Sequence, residues 1–205
     1  MKVRYVSFLM MLIFAAATLA SCGGGGGAPG SSSSKETGIL IQSVLLSVTP
    51  SEDIDVVSRA AVCGDTPPLT DETPLTDANG TIEITATTSN LNPDPAFVSP
   101  FPATVESCSI SYSSAVIGAP IIESKTIFPN CSFVDGTTSC ALEVLNIARK
   151  TLWWDDVTSG KFAPAEYPTR YTAIYSCKYQ NSYNKEGRLE GRVDIDLADW
   201  LSCGG

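Results

Sequence analysis

Apolar and polar residues alternate with a period of two in several stretches of this 205-residue chain. That is the pattern of strands with one buried face. Val44, Leu46 and Val48 point one way and Ser43 and Ser47 the other. Ile82, Ile84 and Ala86 alternate with Thr81, Glu83, Thr85 and Thr87, behind an Asn79-Gly80 dipeptide that reads as a turn. Cys108, Ile110 and Tyr112 alternate with Ser107, Ser109 and Ser111. Asp135-Gly136 is a two-residue hairpin signal, with Cys131–Val134 before it and Thr137–Cys140 after it. Tyr171–Tyr179 gives a further strand, and Val193, Ile195 and Leu197 give the last. Proline-rich connections fall at 50–79, 91–102 and 160–168. The stretch Ala141–Val157 fits both periods, because Leu142, Leu145, Ala148 and Leu152 also share helical spacing. A strand to about Asn146 and then a short helical or irregular segment is expected. About seven short strands with turn chemistry between them predict an all-β sandwich.

The first residues follow a different pattern. Lys2 and Arg4 precede an apolar run from Tyr5 to Ala17 that ends at small residues, the layout of a cleaved signal peptide. Leu19-Ala20-Ser21-Cys22 resembles the lipobox of bacterial lipoproteins. That resemblance implies cleavage before Cys22, lipidation of its sulfur and anchorage in a membrane. Gly23–Gly27 and Ser31–Ser34 form a low-complexity tether. As a flexible coil of roughly 16 residues it spans about 20–25 Å, enough to clear lipid headgroups. The expected organisation is a leader at 1–21, a lipidated cysteine and tether at 22–37, and a sandwich domain at 38–205. Gly23 is not the aspartate that retains enterobacterial lipoproteins in the inner membrane, which points by resemblance to an outer membrane, with a periplasmic or surface-exposed domain.

Composition narrows the chemistry. The net charge is −9, and Lys2 and Arg4 are the only charges of the leader, so the mature chain is more acidic still. An acidic chain without a basic patch carries no electrostatic footprint for nucleic acid. Histidine is absent, which removes the usual general base, the Ser-His-Asp and Cys-His systems and imidazole metal ligands. No phosphate loop or haem attachment motif occurs, so no catalytic residue and no cofactor is assigned.

With Cys22 assigned to lipid, Cys63, Cys108, Cys131, Cys140, Cys177 and Cys203 remain. An even number in an exported chain reads as three disulfides, not a metal site, since no CxxC spacing occurs. Counting outward from Asp135-Gly136 sets Cys131 opposite Cys140 at a non-hydrogen-bonded position, with alpha-carbons about 4.5 Å apart.

Ala173-Ile174-Tyr175-Ser176-Cys177 resembles strand F of immunoglobulin-like and fibronectin-III-like domains, including its tyrosine corner. Two pairings are implied by that resemblance. Strands C and F are neighbours, which joins Cys108 to Cys177. The first and last strands run parallel, which brings Cys63 and Cys203 to one end. The wider layout resembles uncharacterised envelope lipoproteins of environmental bacteria. The shared features are Val48-Thr49-Pro50, the strand Val105–Tyr112 and the closing Ile195-Asp196-Leu197-Ala198-Asp199-Trp200.

Candidate sites are few. Trp153, Trp154 and Tyr167 could offer an aromatic surface for a glycan or a partner protein. On a strand, one tryptophan would face the core and its neighbour the solvent. Asp194 and Asp196 share an outward face about 6.5–7 Å apart, a spacing compatible with a calcium edge or a carboxylate pair. A solvated edge strand protected by its charges is the simpler reading of the pair. The expected function is a non-catalytic envelope lipoprotein that binds or organises another envelope or extracellular component. The alternatives are a carboxylate-dependent glycan enzyme and a subunit that assembles by strand addition.

Overall fold

The computed structural model describes residues 36–49, 51–57, 75–89 and 98–199. Among these the order is β1 (Ile39–Thr49), β2 (Asp53–Asp55), β3 (Ala78–Thr88), β4 (Ala103–Ser113), β5 (Lys125–Ile127), β6 (Cys131–Phe133), β7 (Gly136–Leu145), α1 (Ile147–Thr158), β8 (Thr169–Gln180) and β9 (Glu186–Ala198). The fold is all-β, with the strands in two packed sheets. One sheet has the order β1-β3-β7, and the other β2-β9-β8-β4-β5, with β6 also on β4. β5 and β6 pair with successive stretches of β4, Cys108–Ile110 and Ala103–Val105, so together they form one interrupted edge. β2 runs parallel to β9, with Asp53 beside Asp196 and Asp55 beside Ala198.

The alternation predicted from sequence is the alternation seen. Ile82, Ile84 and Ala86 of β3 are buried, as are Cys108 and Ile110 of β4, Tyr171, Ala173, Tyr175, Cys177 and Tyr179 of β8, and Val193, Ile195 and Leu197 of β9. These side chains meet between the sheets in one apolar core, where Phe133 packs edge-on against Tyr179 with ring centroids 5.3 Å apart. Each fully buried aliphatic or aromatic side chain contributes roughly 1.5–3 kcal/mol by leaving water.

Several expectations are corrected. There are nine strands among the described residues rather than seven, because β2 and β5 are three-residue pieces without visible alternation. Asn79-Gly80 is not a turn: both residues lie inside β3, opposite Thr49 and Val48 of β1. Glycine is needed there for close packing, since a Cβ at Gly80 would lie 2.4 Å from the Ser47 carbonyl oxygen and 2.9 Å from Val144.

Asp135-Gly136 does not close a hairpin. β6 pairs with β4 in one sheet and β7 with β3 in the other, so the turn carries the chain across the sandwich. Gly136, at φ +104°, permits that crossing. Cys131 and Cys140 are disulfide-bonded, with alpha-carbons 5.8 Å apart rather than the shorter hairpin distance, and the bond joins the two sheets. Cys108 and Cys177 are also bonded, as directly opposed residues of β4 and β8. Cys63 and Cys203 lie outside the described residues, as do the leader, Cys22 and the Gly/Ser run.

Tyr175 does not form a tyrosine corner. Its hydroxyl donates across the sandwich to the Glu143 carbonyl of β7 at 3.0 Å. The Tyr112 hydroxyl donates to the Val144 carbonyl. Burial pushes the Tyr112 hydroxyl up to about 12, with Arg149 acting against the shift, and raises Tyr175 above its ordinary value as well.

The strand-to-helix change falls where the sequence was ambiguous. Asn146 caps α1, its side-chain oxygen accepting from the Arg149 N–H at 3.0 Å, an arrangement worth about 1 kcal/mol. The Ile147 N–H donates to an Asp77 carboxylate oxygen at 2.8 Å. The two tryptophans therefore sit on a helix, not on opposite faces of a strand: Trp153 is 2% exposed and Trp154 is half-buried against the core.

Candidate functional site

Strand direction gives the sandwich two chemically distinct ends. β1 begins at one end, beside the close of β3, the start of β4 and the β8–β9 turn. There Asn181, which is 4% exposed, holds the backbone just before β1. Its amide nitrogen donates to the Thr37 carbonyl at 2.7 Å, and its side-chain oxygen accepts from the N–H groups of Tyr183 and Lys185 at 2.9 and 2.8 Å. The Thr37 and Tyr179 hydroxyls lie 3.3 Å apart. Thr37 is thus fixed at this end of the sandwich.

The opposite end carries α1 and the segment 114–124. Between them is a groove of about 250 Å³, with Ile121, Ile122, Leu152 and Trp153 as apolar lining and Glu123, Asn146, Arg149 and Asp156 as polar lining. Its walls are tied together. The Trp153 indole N–H donates to the Tyr171 hydroxyl at 2.8 Å, which in turn donates to the Pro120 carbonyl at 2.8 Å. Arg149 reaches from α1 to the carbonyls of Glu123 and Ser124 at 3.2 and 3.3 Å. Burial pushes the Tyr171 hydroxyl up to about 12, so it is a neutral donor at any physiological pH. Asp156 is paired with Lys161 at 2.8 Å. Ile121 and Leu152 remain 76% and 54% exposed, and Ile117 nearby in the chain is 82% exposed. Exposed apolar residues rimmed by polar groups on a rigid frame are the physical signature of a contact surface.

A second recess of about 190 Å³ lies between β2, the start of β3 and α1. Lys150 is buried in it and donates to the Thr76 carbonyl at 2.7 Å. Burial pulls its ammonium below the ordinary lysine value, while Asp55 and Asp77 act in the opposite direction. The contact pins α1 to the segment that leads into β3.

The residues singled out from sequence are not assembled into one surface. Trp153 belongs to the core and supplies the groove floor. Tyr167 is 52% exposed, with its hydroxyl accepting from the Asp199 N–H. Asp194 accepts from the Thr172 hydroxyl at 2.7 Å, and Asp196 is held by Arg170 through contacts of 2.9 and 2.8 Å. Both carboxylates are thus engaged along an open sheet face. Among the described residues no three Asp, Glu, Cys or His side chains are placed to hold a metal ion, and no helix is long and apolar enough to cross a membrane.

The groove was missed because its wall carries no periodic signal. One cue was present: Ala115-Val116-Ile117-Gly118-Ala119-Pro120-Ile121-Ile122 is an apolar run in a connection. Comparison with protein families, with curated proteins and with solved structures gave no significant match.

Proposed function

We propose that this chain is an envelope lipoprotein, anchored through Cys22, whose immunoglobulin-like domain presents the groove between α1 and segment 114–124 to another envelope or extracellular component. The observation that carries the reading is the polarity of the sandwich. Thr37, where the tether joins, is bound to the β8–β9 turn at one end, and the apolar groove lies at the other. Strand length supports the geometry: an eleven-residue strand such as β1 rises about 36 Å, and the tether adds roughly 20–25 Å. The sheet orders and the β4–β8 disulfide support the immunoglobulin-like likeness. The engaged state of Asp194 and Asp196 favours binding over carboxylate catalysis.

The test is capture from crosslinked envelopes with the native protein and with the double variant Ile121→Asp/Leu152→Asp. Both positions are exposed, so folding is preserved. Selective loss of the captured component in the variant supports the reading. Equal capture by both proteins, or turnover of a glycan panel by both, overturns it.

A further inference from the structure

We propose that the free edge of β7 pairs with the β7 edge of a second copy of this chain, in an antiparallel ladder that joins the two three-stranded sheets into one. An unpaired strand edge is a ready template for another strand, and folded proteins ordinarily interrupt or charge such edges. Three of the edges seen here are interrupted. β1 carries a register shift between Ile41 and Ser43. β2 is only three residues long and bears Asp53 and Asp55. The β5–β6 edge is broken by Phe128, Pro129 and Asn130.

β7 is different. It runs for ten residues without proline, lysine or arginine, and its register with β3 is unbroken from Gly136 to Glu143. Among the described residues it pairs with β3 alone. Tyr175 and Tyr112 take the carbonyls of Glu143 and Val144, which leaves Gly136–Leu142 as the open run.

The occupant follows from self-complementarity. A two-fold axis at Cys140 sets Ser139 opposite the partner's Ala141 and Thr137 opposite the partner's Glu143. No like charges then face one another, and the side chains on the outer face of the run are small. The same axis, perpendicular to the sheet, brings the overlying β5 edges together. There the seam holds a groove of about 430 Å³ between Lys125–Pro129 and Ala141–Glu143, flanked by Phe128, which is 79% exposed. Two phenylalanines, at about 150–250 Å² each, supply roughly a third of the 1,000 Å² or more that a specific interface needs. The ladder supplies the rest. The Lys125–Glu143 pair of each copy, 2.6 Å apart, adds charges of both signs at the seam, so the contact is complementary to itself. The ladder is antiparallel, so the two Thr37 ends lie at opposite ends of the pair, an arrangement suited to copies on facing surfaces. The pairing rests on the β7 edge and does not require the anchor.

The test is the molar mass of the purified mature protein by light scattering, in neutral detergent if it is lipidated and in buffer if it is not. A dimer at micromolar concentration is expected. Ser139→Lys and Phe128→Asp, both at exposed positions, should each weaken it roughly tenfold or more, about 1.4 kcal/mol. Leu45→Asp, on exposed β1, should leave it unchanged. Mixing a Ser139→Cys chain with an Ala141→Cys chain should give an oxidised dimer faster than either chain alone. A monomer throughout overturns the proposal. So does a dimer that tolerates Ser139→Lys, or one that Leu45→Asp dissociates.

Discussion

Removing the two disulfides separately distinguishes what each contributes. Cys108–Cys177 closes a separation of 69 residues and Cys131–Cys140 one of 9. In the chain-entropy account these loops correspond to about 4.4 and about 2.7 kcal/mol of destabilisation of the unfolded chain. Both pairs are buried, so replacement by alanine removes about 1 kcal/mol of packing per sulfur in either case. The packing losses nearly cancel in the comparison. The Cys108→Ala/Cys177→Ala protein should therefore be less stable than the Cys131→Ala/Cys140→Ala protein by about 1.7 kcal/mol. Against a total of about 5–15 kcal/mol for a domain, the first variant should be close to its folding limit. Urea unfolding followed by tryptophan fluorescence gives both values. Because Cys131–Cys140 crosses between sheets, its removal should also speed amide exchange in Cys131–Phe133, which lean on Ala103–Val105 rather than on a hairpin mate. An equal or larger loss for the short-loop pair would show that loop length does not set these losses, and protected Cys131–Phe133 amides in its absence would show that β6 is held without the bond.

Tyr171→Phe removes the acceptor of the Trp153 indole and the donor to Pro120; leaving both buried groups unpaired should cost about 2–4 kcal/mol in the same unfolding experiment. Tyr112 and Tyr171 have folded values near 12, above their unfolded value of 10.0. The folded state therefore holds protons that the unfolded chain releases, so their contribution is complete below about pH 10 and is lost as pH rises towards 12. Tyrosinate absorbance should lag behind that of free tyrosine and then rise together with unfolding; full ionisation near pH 10 in a folded protein would contradict this. Non-reducing peptide mapping should recover a Cys63–Cys203 peptide, since β2 and β9 are parallel and head in the same direction; a Cys177–Cys203 peptide would contradict both the strand order and the observed core pair.

The legible parts of the sequence were those where neighbouring positions differ in polarity. Ile82, Ile84 and Ala86 stood out because threonines and a glutamate separate them, and the end of a strand near Asn146 showed because the apolar spacing of Leu142, Leu145, Ala148 and Leu152 also fits a helix; the cap itself is seen only in the structure. The first half of β9 was hidden because its inward positions include Gly187 and Gly191. Those glycines make room for large neighbours: a Cβ would lie 2.2 Å from the Tyr179 ring at one and 2.0 Å from Leu46 at the other. The Asp135-Gly136 signal points to the Cys131–Cys140 pair through a hairpin register that does not exist, because Asp-Gly also suits a turn between sheets. Trp153 and Tyr167 were legible as aromatic but not as separate in space. The groove depends on Arg149, Pro120 and Tyr171, distant in sequence and joined only by the fold.

We propose that the domain is displayed from a membrane through Cys22. Intact mass measurement of the protein recovered from detergent-extracted cells, with and without Cys22→Ser, tests this. A mature chain beginning at Cys22 with added acyl mass is expected, and an unprocessed or unlipidated chain in the variant. A mature N-terminus at Cys22 without acyl mass, or at another residue, would contradict it.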